Sequence, residues 1–160
     1  MTTQISKTPA ASAMKVANYL IWHSQKHGDA ISNLKLQKIL YYAHGWYLAI
    51  NRRVLFSEPV EAWVRGPVVR SVWREYSHHA WKPINEAISE PALTVAVKEH
   101  LDEVMAVYGD FSAYSLERFT HRETPWIKAR GDLLPDTSSS REISTEEIFA
   151  YFSKLATRKN

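Results

Sequence analysis

An apolar stripe at helical spacing constrains this chain more than any other feature. Leu36, Ile39, Leu40, Ala43, Trp46, Tyr47 and Ile50 fall where a period of 3.6 residues brings them to one side. Ser32 or Asn33 stands ahead of the stripe as a cap, and Asn51 follows as its stop. Such a face has to be covered by further elements, so the stripe predicts a helical assembly around it. Ala13, Val16, Ala17, Leu20 and Ile21 repeat the spacing upstream. Lys26 and His27 supply the basic last turn of that first helix, and Gly28 supplies its stop. The short connection predicts that the two helices pack antiparallel.

Beyond Asn51 the period changes. Val54-Leu55-Phe56 and the run from Val60 to Val64 are β-prone around Ser57-Glu58-Pro59, and in the second run Val60, Ala62 and Val64 alternate with Glu61, Trp63 and Arg65. A small hairpin is the expectation, with Gly66-Pro67 ending it and placing proline at the first position of a helix whose inner face is Val69, Val72, Trp73 and Tyr76. Further helices are expected after Pro91, with Val97, Leu101, Val104, Met105 and Tyr108 inward, and after Ser112, with Leu116 and Phe119. Another is expected from Thr124-Pro125 to Gly131, and a last one behind a Ser144/Glu147 capping box, with Ile148, Tyr151, Phe152 and Leu155 inward. The fold class read from these signals is mainly α, one compact domain of about six helices with one small β-hairpin. Residues 1–9 are expected to form a flexible arm, residues 10–157 the domain, and residues 158–160 a frayed end.

At 160 residues the chain suits a single core without staples. The absence of cysteine excludes disulfides, thiolate metal sites and a cysteine nucleophile. Met1 to Ala13 contains no apolar run of signal-peptide type, and no stretch approaches the roughly 20 apolar residues of a membrane span, so no membrane is expected and a cytoplasmic location is. The formal charge of +3 comes from 20 Lys and Arg spread along the chain, which describes a solvated surface better than a nucleic-acid footprint. A helix-turn-helix around Gly28 would present Lys35, Lys38 and Tyr42, a set poor in the Arg, Asn and Gln that read base edges, so nucleic acid is not an expected partner. Six tryptophans and eight tyrosines are the less ordinary feature, because such side chains serve both as core and as interface anchors.

Catalytic patterns are sparse. His121 and Glu123 are the one pair suited to a base and its orienter, or to a shared metal, yet a two-residue offset turns them about 160° apart on a continuous helix. They converge only if the helix ends there, as Pro125 allows; the bland reading is hydrogen bonding at a helix junction. His78-His79 stands near a helix end, where capping or solvent exposure accounts for it. His44 reads as a semi-buried imidazole within the second helix. No glycine-rich phosphate loop and no GxSxG motif occurs. Neither a cofactor nor a metal is nominated.

Three segments in register carry a resemblance. The first runs from Leu34 to Ala49 and holds Leu36, Gln37, Tyr41, Tyr42 and Trp46. The second comprises Leu55-Phe56, Glu58, Val60 to Trp63, Gly66-Pro67-Val68-Val69, Trp73 and Tyr76. The third is Thr120-His121, Glu123 and Pro125-Trp126. Together they resemble the Panacea-domain family of SocA-like or GepA-like phage-associated proteins, over nearly the whole chain. Two positions depart from the pattern: His44 stands where many relatives have glutamine, and Arg52-Arg53 where a glycine is common.

The resemblance implies an antitoxin, a small helical protein that binds and neutralises a toxin encoded beside it, in a bacterial or prophage system. It also implies a rival role, an adaptor that delivers the bound toxin to a protease. A further rival, an enzyme of unknown reaction, would have to rest on His121 and Glu123. The residues themselves suggest where a partner would be held. Lys38, Tyr41 and Tyr42 lie off the main stripe of their helix, and Glu61, Trp63 and Arg65 share one side of a strand. With His121, Glu123 and Trp126 they are the expected recognition surface. The competing expectation is that Glu61 and Lys38 pair internally while Trp63, Tyr41 and Trp126 fill the core.

Overall fold

The computed structural model describes residues 4–158. Among them seven α-helices and three short strands follow in the order α1 (Ala13–Lys26), α2 (Asn33–Asn51), β1 (Val60–Trp63), β2 (Gly66–Val68), α3 (Arg70–Tyr76), α4 (Val95–Tyr108), α5 (Ala113–Thr120), α6 (Thr124–Arg130), β3 (Glu142–Ile143) and α7 (Thr145–Arg158). The mainly α class is as expected. Ser12, Ser32, Thr94 and Ser112 each accept the backbone N–H of the residue three positions on, starting α1, α2, α4 and α5. The helix expected to open at Pro91 begins at Val95 instead, because the hydroxyl of Thr94 is the cap.

Helix α2 is the axle of the molecule. It packs against α1, α3, α4, α5, α7 and β2, so nearly every side chain from Leu36 to Leu48 is buried. A single stripe understates such an element, because the helix has no solvent face over most of its length. At its last turn Ile50, expected in the stripe, is 63% exposed on an open groove shared with α4. The chain then turns through Arg52, whose φ of 50° is left-handed. Against α7 the approach is close enough that a Cβ on Gly45 would lie 2.2 Å from the Phe152 ring.

The hairpin forms with different partners from those expected. β1 pairs antiparallel with β2, in the register Glu61 with Val68, Ala62 with Pro67 and Trp63 with Gly66. Its turn is Val64-Arg65, not Ser57 to Pro59, and Gly66-Pro67 belongs to the second strand rather than to a helix start. Gly66 has a φ of +112°, and Pro67 sits on an edge strand, where a missing N–H costs no ladder bond to a further strand. The sheet order is β2-β1-β3, since Glu142-Ile143 returns to pair with the other side of β1. Val54 and Leu55 instead accept hydrogen bonds from Ala10 and Ala11.

Of the arm expected at 1–9, residues 1–3 lie outside the described residues. Ser6 bridges to Arg53 through backbone hydrogen bonds with Arg52 and Val54, and the Arg53 guanidinium donates to the Thr8 and Pro9 carbonyls. This segment is laid along the α2–β1 connection. Arg158 is the last residue of α7, and residues 159 and 160 lie outside the described region.

Candidate recognition site

The three sequence segments meet where α2, the β1–β2 hairpin and the α5–α6 junction come together. At the bottom lies Glu123, the residue that precedes α6, buried with its carboxylate accepting the Tyr41 hydroxyl at 3.0 Å and the Tyr42 hydroxyl at 2.8 Å. Burial pushes this carboxyl up to about 7 against the two hydrogen bonds, which pull it down. Both phenols are raised by burial and then by the carboxylate beside them. Tyr42 also stacks on Tyr108 at 4.2 Å, and the Tyr108 hydroxyl accepts the Trp46 indole N–H.

Lys38 is fully buried one turn earlier on α2, and its Nζ donates to the Pro67 carbonyl at 3.1 Å. Desolvation pushes its amine down to about 7, with Glu117 opposing that shift. Gly66 makes room for this amine: a Cβ there would fall 2.7 Å from Lys38 Cε and 3.0 Å from Thr120 Oγ1. Gln37, also fully buried, accepts the Val69 N–H at 2.9 Å and donates to Asn33, which in turn donates to the Trp73 carbonyl. Leu36, Gln37, Gly66, Pro67, Val68, Val69, Thr120 and Pro125 are all buried, and Trp46 is half-buried. These motif residues therefore act through packing and through backbone groups that the hairpin would otherwise leave unpaired.

His121 ends α5 and lies flat on Trp126, ring centroids 4.1 Å apart, with Nε2 buried and unpartnered. Desolvation holds its imidazole below the ordinary value. Glu123 is committed to the two tyrosines, so the base-and-orienter pair considered from the sequence does not form. Trp126 donates its indole N–H to the Trp63 carbonyl at 2.9 Å. Arg130, which the sequence did not single out, is buried over the Trp126 ring and donates to the carbonyls of Ala62, Leu134 and Thr137. Only its place just ahead of the Gly131 stop, in the last turn of a helix, hinted at a role for its charge.

The expected surface thus divides in two. Lys38, Tyr41 and Tyr42 are inside because α2 is covered all round, and Glu123 and most of Trp126 are buried at the α5–α6 junction packed on it; as first-contact residues they are corrected to interior ones. Glu61 is also withdrawn, yet its partner is Arg70 rather than Lys38, at 2.8 and 3.2 Å, with the Trp63 indole donating at 2.8 Å. Burial would raise the Glu61 carboxyl, but these bonds and the Arg70 and Arg74 charges hold it below its usual value. Outside remain Trp63, half-exposed against Trp73 and under the Arg70 guanidinium, and Arg65, 62% exposed and paired to Glu117 at 2.7 Å. They line an open cleft of 560 Å³ between the hairpin turn, Arg70 and the Ser138–Ser140 hydroxyls. Trp63 forms its wall, and Arg65 and Arg70, each paired with a glutamate, stand at its rim.

Comparisons with known proteins agree with this assembly. The family described as Antitoxin SocA-like, Panacea domain matches residues 36–127, the span that holds α2, the hairpin and the α5–α6 junction. Antitoxin SocA of Caulobacter vibrioides strain NA1000 / CB15N is 34% identical, over 73% of this chain and 69% of that protein. No solved structure matches. Among the described residues no helix is long and apolar enough to cross a membrane. A match over more than half of the chain, with a relative 34% identical over 73% of it, makes this protein a member of the SocA-like, Panacea-domain antitoxin family.

Proposed function

We propose that the protein neutralises a toxin by binding it directly, and that the cleft bordered by Trp63, Arg65, Arg70 and Ser138–Ser140 receives the toxin. The observation that carries the site is a contrast of exposure within the motif region: most of its polar residues are buried, while a half-exposed tryptophan and an exposed arginine, the latter paired with Glu117, stand at the rim of a cleft. A rigid aromatic flanked by cations is the usual composition of an interface anchor, and it favours a toxin segment carrying carboxylates. His121, Trp126, Glu61 and the Tyr41-Tyr42-Glu123 group support this surface from below by fixing the Trp63 backbone and the hairpin.

The toxin is expected to be the product of a neighbouring gene, and no catalysis is required of the antitoxin. Trp63→Ala and Arg65→Glu test the site, with binding measured by calorimetry against that product. Each variant is expected to weaken binding by at least about tenfold while its melting transition stays close to that of the parent. Unchanged affinity in both variants would place the interface elsewhere. A family-linked rival, delivery of the toxin to a protease, is separated by following the toxin in cells: energy-dependent loss supports delivery, and stable accumulation of the complex supports sequestration.

A further inference from the structure

On the side of the molecule carrying the end of α3, the chain makes a single turn of 3₁₀ helix at Ser77–His79, and a long connection then leads to α4. That connection is pinned in its middle. Ile84 is fully buried and donates its N–H to the Ile31 carbonyl at 2.8 Å, while Gln25 of α1 donates to the carbonyls of Ile84 and Glu86. The backbone of Glu86 is therefore positioned by contacts that owe nothing to the side chains of the 3₁₀ turn. From that position Oε1 of Glu86 meets two imidazoles at once, His79 Nε2 at 2.7 Å and His78 Nε2 at 3.1 Å. The two rings lie 4.2 Å apart, centroid to centroid. His79 is nearly enclosed beside Tyr76, whereas His78 and Glu86 open to solvent with side chains 63% and 43% exposed.

We propose that His78, His79 and Glu86 form a binding site for a divalent transition-metal ion, with zinc the best fit among the common ones. All three ligand atoms lie within 4.8 Å of one another, and no other trio of His, Cys, Asp or Glu among the described residues is drawn together in this way. An ion with bonds of about 2.0–2.2 Å to imidazole nitrogen and carboxylate oxygen needs its ligand atoms roughly 3.3 Å apart. For an ion to enter, the carboxylate oxygen has to recede from His79 Nε2 by about half an ångström and slightly from His78 Nε2, and side-chain rotation has to set the two nitrogens, within 4.8 Å of each other, to the same spacing. Two imidazoles and a carboxylate are the borderline donor set that selects zinc, cobalt or nickel over calcium and magnesium, which want oxygen alone. Without the ion, both Nε2 atoms face the carboxylate oxygen as N–H donors. On binding, their lone pairs turn to the metal, and the protons they held there pass to solvent or to Nδ1. The remaining position faces the solvent side and takes water.

The adjacent histidines that were expected to cap or to sit in solvent thus become chelators, because the 3₁₀ turn and the pinned connection bring a third ligand to them. Bound metal would staple the end of α3 to the α3–α4 connection, and ion binding to the native state alone raises the melting temperature. Neither consequence rests on the toxin-binding reading.

The test is calorimetric titration of the untagged full chain with Zn²⁺, alongside the visible absorption of its Co²⁺ complex and the melting temperature with and without Zn²⁺. One ion per chain, a cobalt spectrum of low coordination number and a raised melting temperature are expected. His79→Ala and the near-isosteric Glu86→Gln should each lower the affinity by at least about tenfold. The exposed His78→Ala should do the same, and His27→Ala, outside the trio, should leave it unchanged. Absence of uptake by the parent chain, or uptake indifferent to both His78→Ala and Glu86→Gln, would overturn the site.

Discussion

Two buried ionisable groups, Glu123 and Lys38, give this protein an electrostatic signature of its own. The carboxyl of Glu123 is raised from 4.5 to about 7 on folding, so between those values the unfolded chain has lost a proton that the folded one keeps. Stability contributed by this group is full below pH 4.5 and falls as pH rises towards 7. Glu123→Gln removes the slope. The stability of the parent relative to this variant, from urea unfolding at a series of pH values, should decline by on the order of 3 kcal/mol across that window. A difference that stays flat with pH would mean that the carboxyl is not held neutral. Lys38 works in the opposite sense. Its amine falls from 10.5 to about 7, so the folded chain sheds a proton that the unfolded one retains, and its stability contribution rises with pH over that interval. Lys38→Met should abolish the rise. A third residue, Arg52, occupies a left-handed conformation that a side chain tolerates at a cost of about 1 kcal/mol. Arg52→Gly, whose backbone keeps the bond to the Leu48 carbonyl, should recover roughly that amount in the same unfolding assay. At this scale the sequence drew attention to these residues for a reason other than burial. Tyr41, Tyr42, Lys38 and Glu123 were marked by chemical type, but whether a polar residue faces water depends on what covers its helix, which spacing along one helix does not encode.

Helix boundaries and faces were legible wherever a hydroxyl cap or a glycine stop accompanied a periodic run, as at Ser32, Ser112 and Ser144. The sheet was less so. β3 is two residues long, too short for any alternation to register, and its pairing with β1 depends on a chain return across about eighty residues. Gly66-Pro67 looked like a helix entry because that is the commoner use of the pair. Its actual role follows from Lys38 and Thr120, which leave no room for a Cβ beneath the strand. Gly45 illustrates the same logic between helices. Nothing in its neighbourhood calls for glycine except α7, whose Phe152 ring occupies the space a methyl group would take. Gly45→Ala should therefore cost about 3 kcal/mol, above its small gain in helix propensity, because both the ring and the helix axis must give way. Thermal unfolding would register this as a clear drop in melting temperature, and an unchanged value would mean that α7 can slide without penalty.

The whole molecule is arranged so that a family motif spread over α2, the hairpin and the α5–α6 junction becomes one buried polar frame carrying one open cleft. The frame holds these residue types together in one packed unit, and the cleft is the face we propose for contact with another protein. Family membership supplies the antitoxin role, and direct capture of the toxin at this cleft is the means we propose for it. The most direct measurement is co-expression of this chain with the product of the neighbouring gene, scoring growth and recovering the complex by co-purification. Rescued growth and a stable complex are expected with the parent, and loss of both with Arg65→Glu despite normal levels of folded variant. Rescue that persists in Arg65→Glu and Trp63→Ala alike, or rescue by the parent with no complex recovered and the toxin still present, would contradict it.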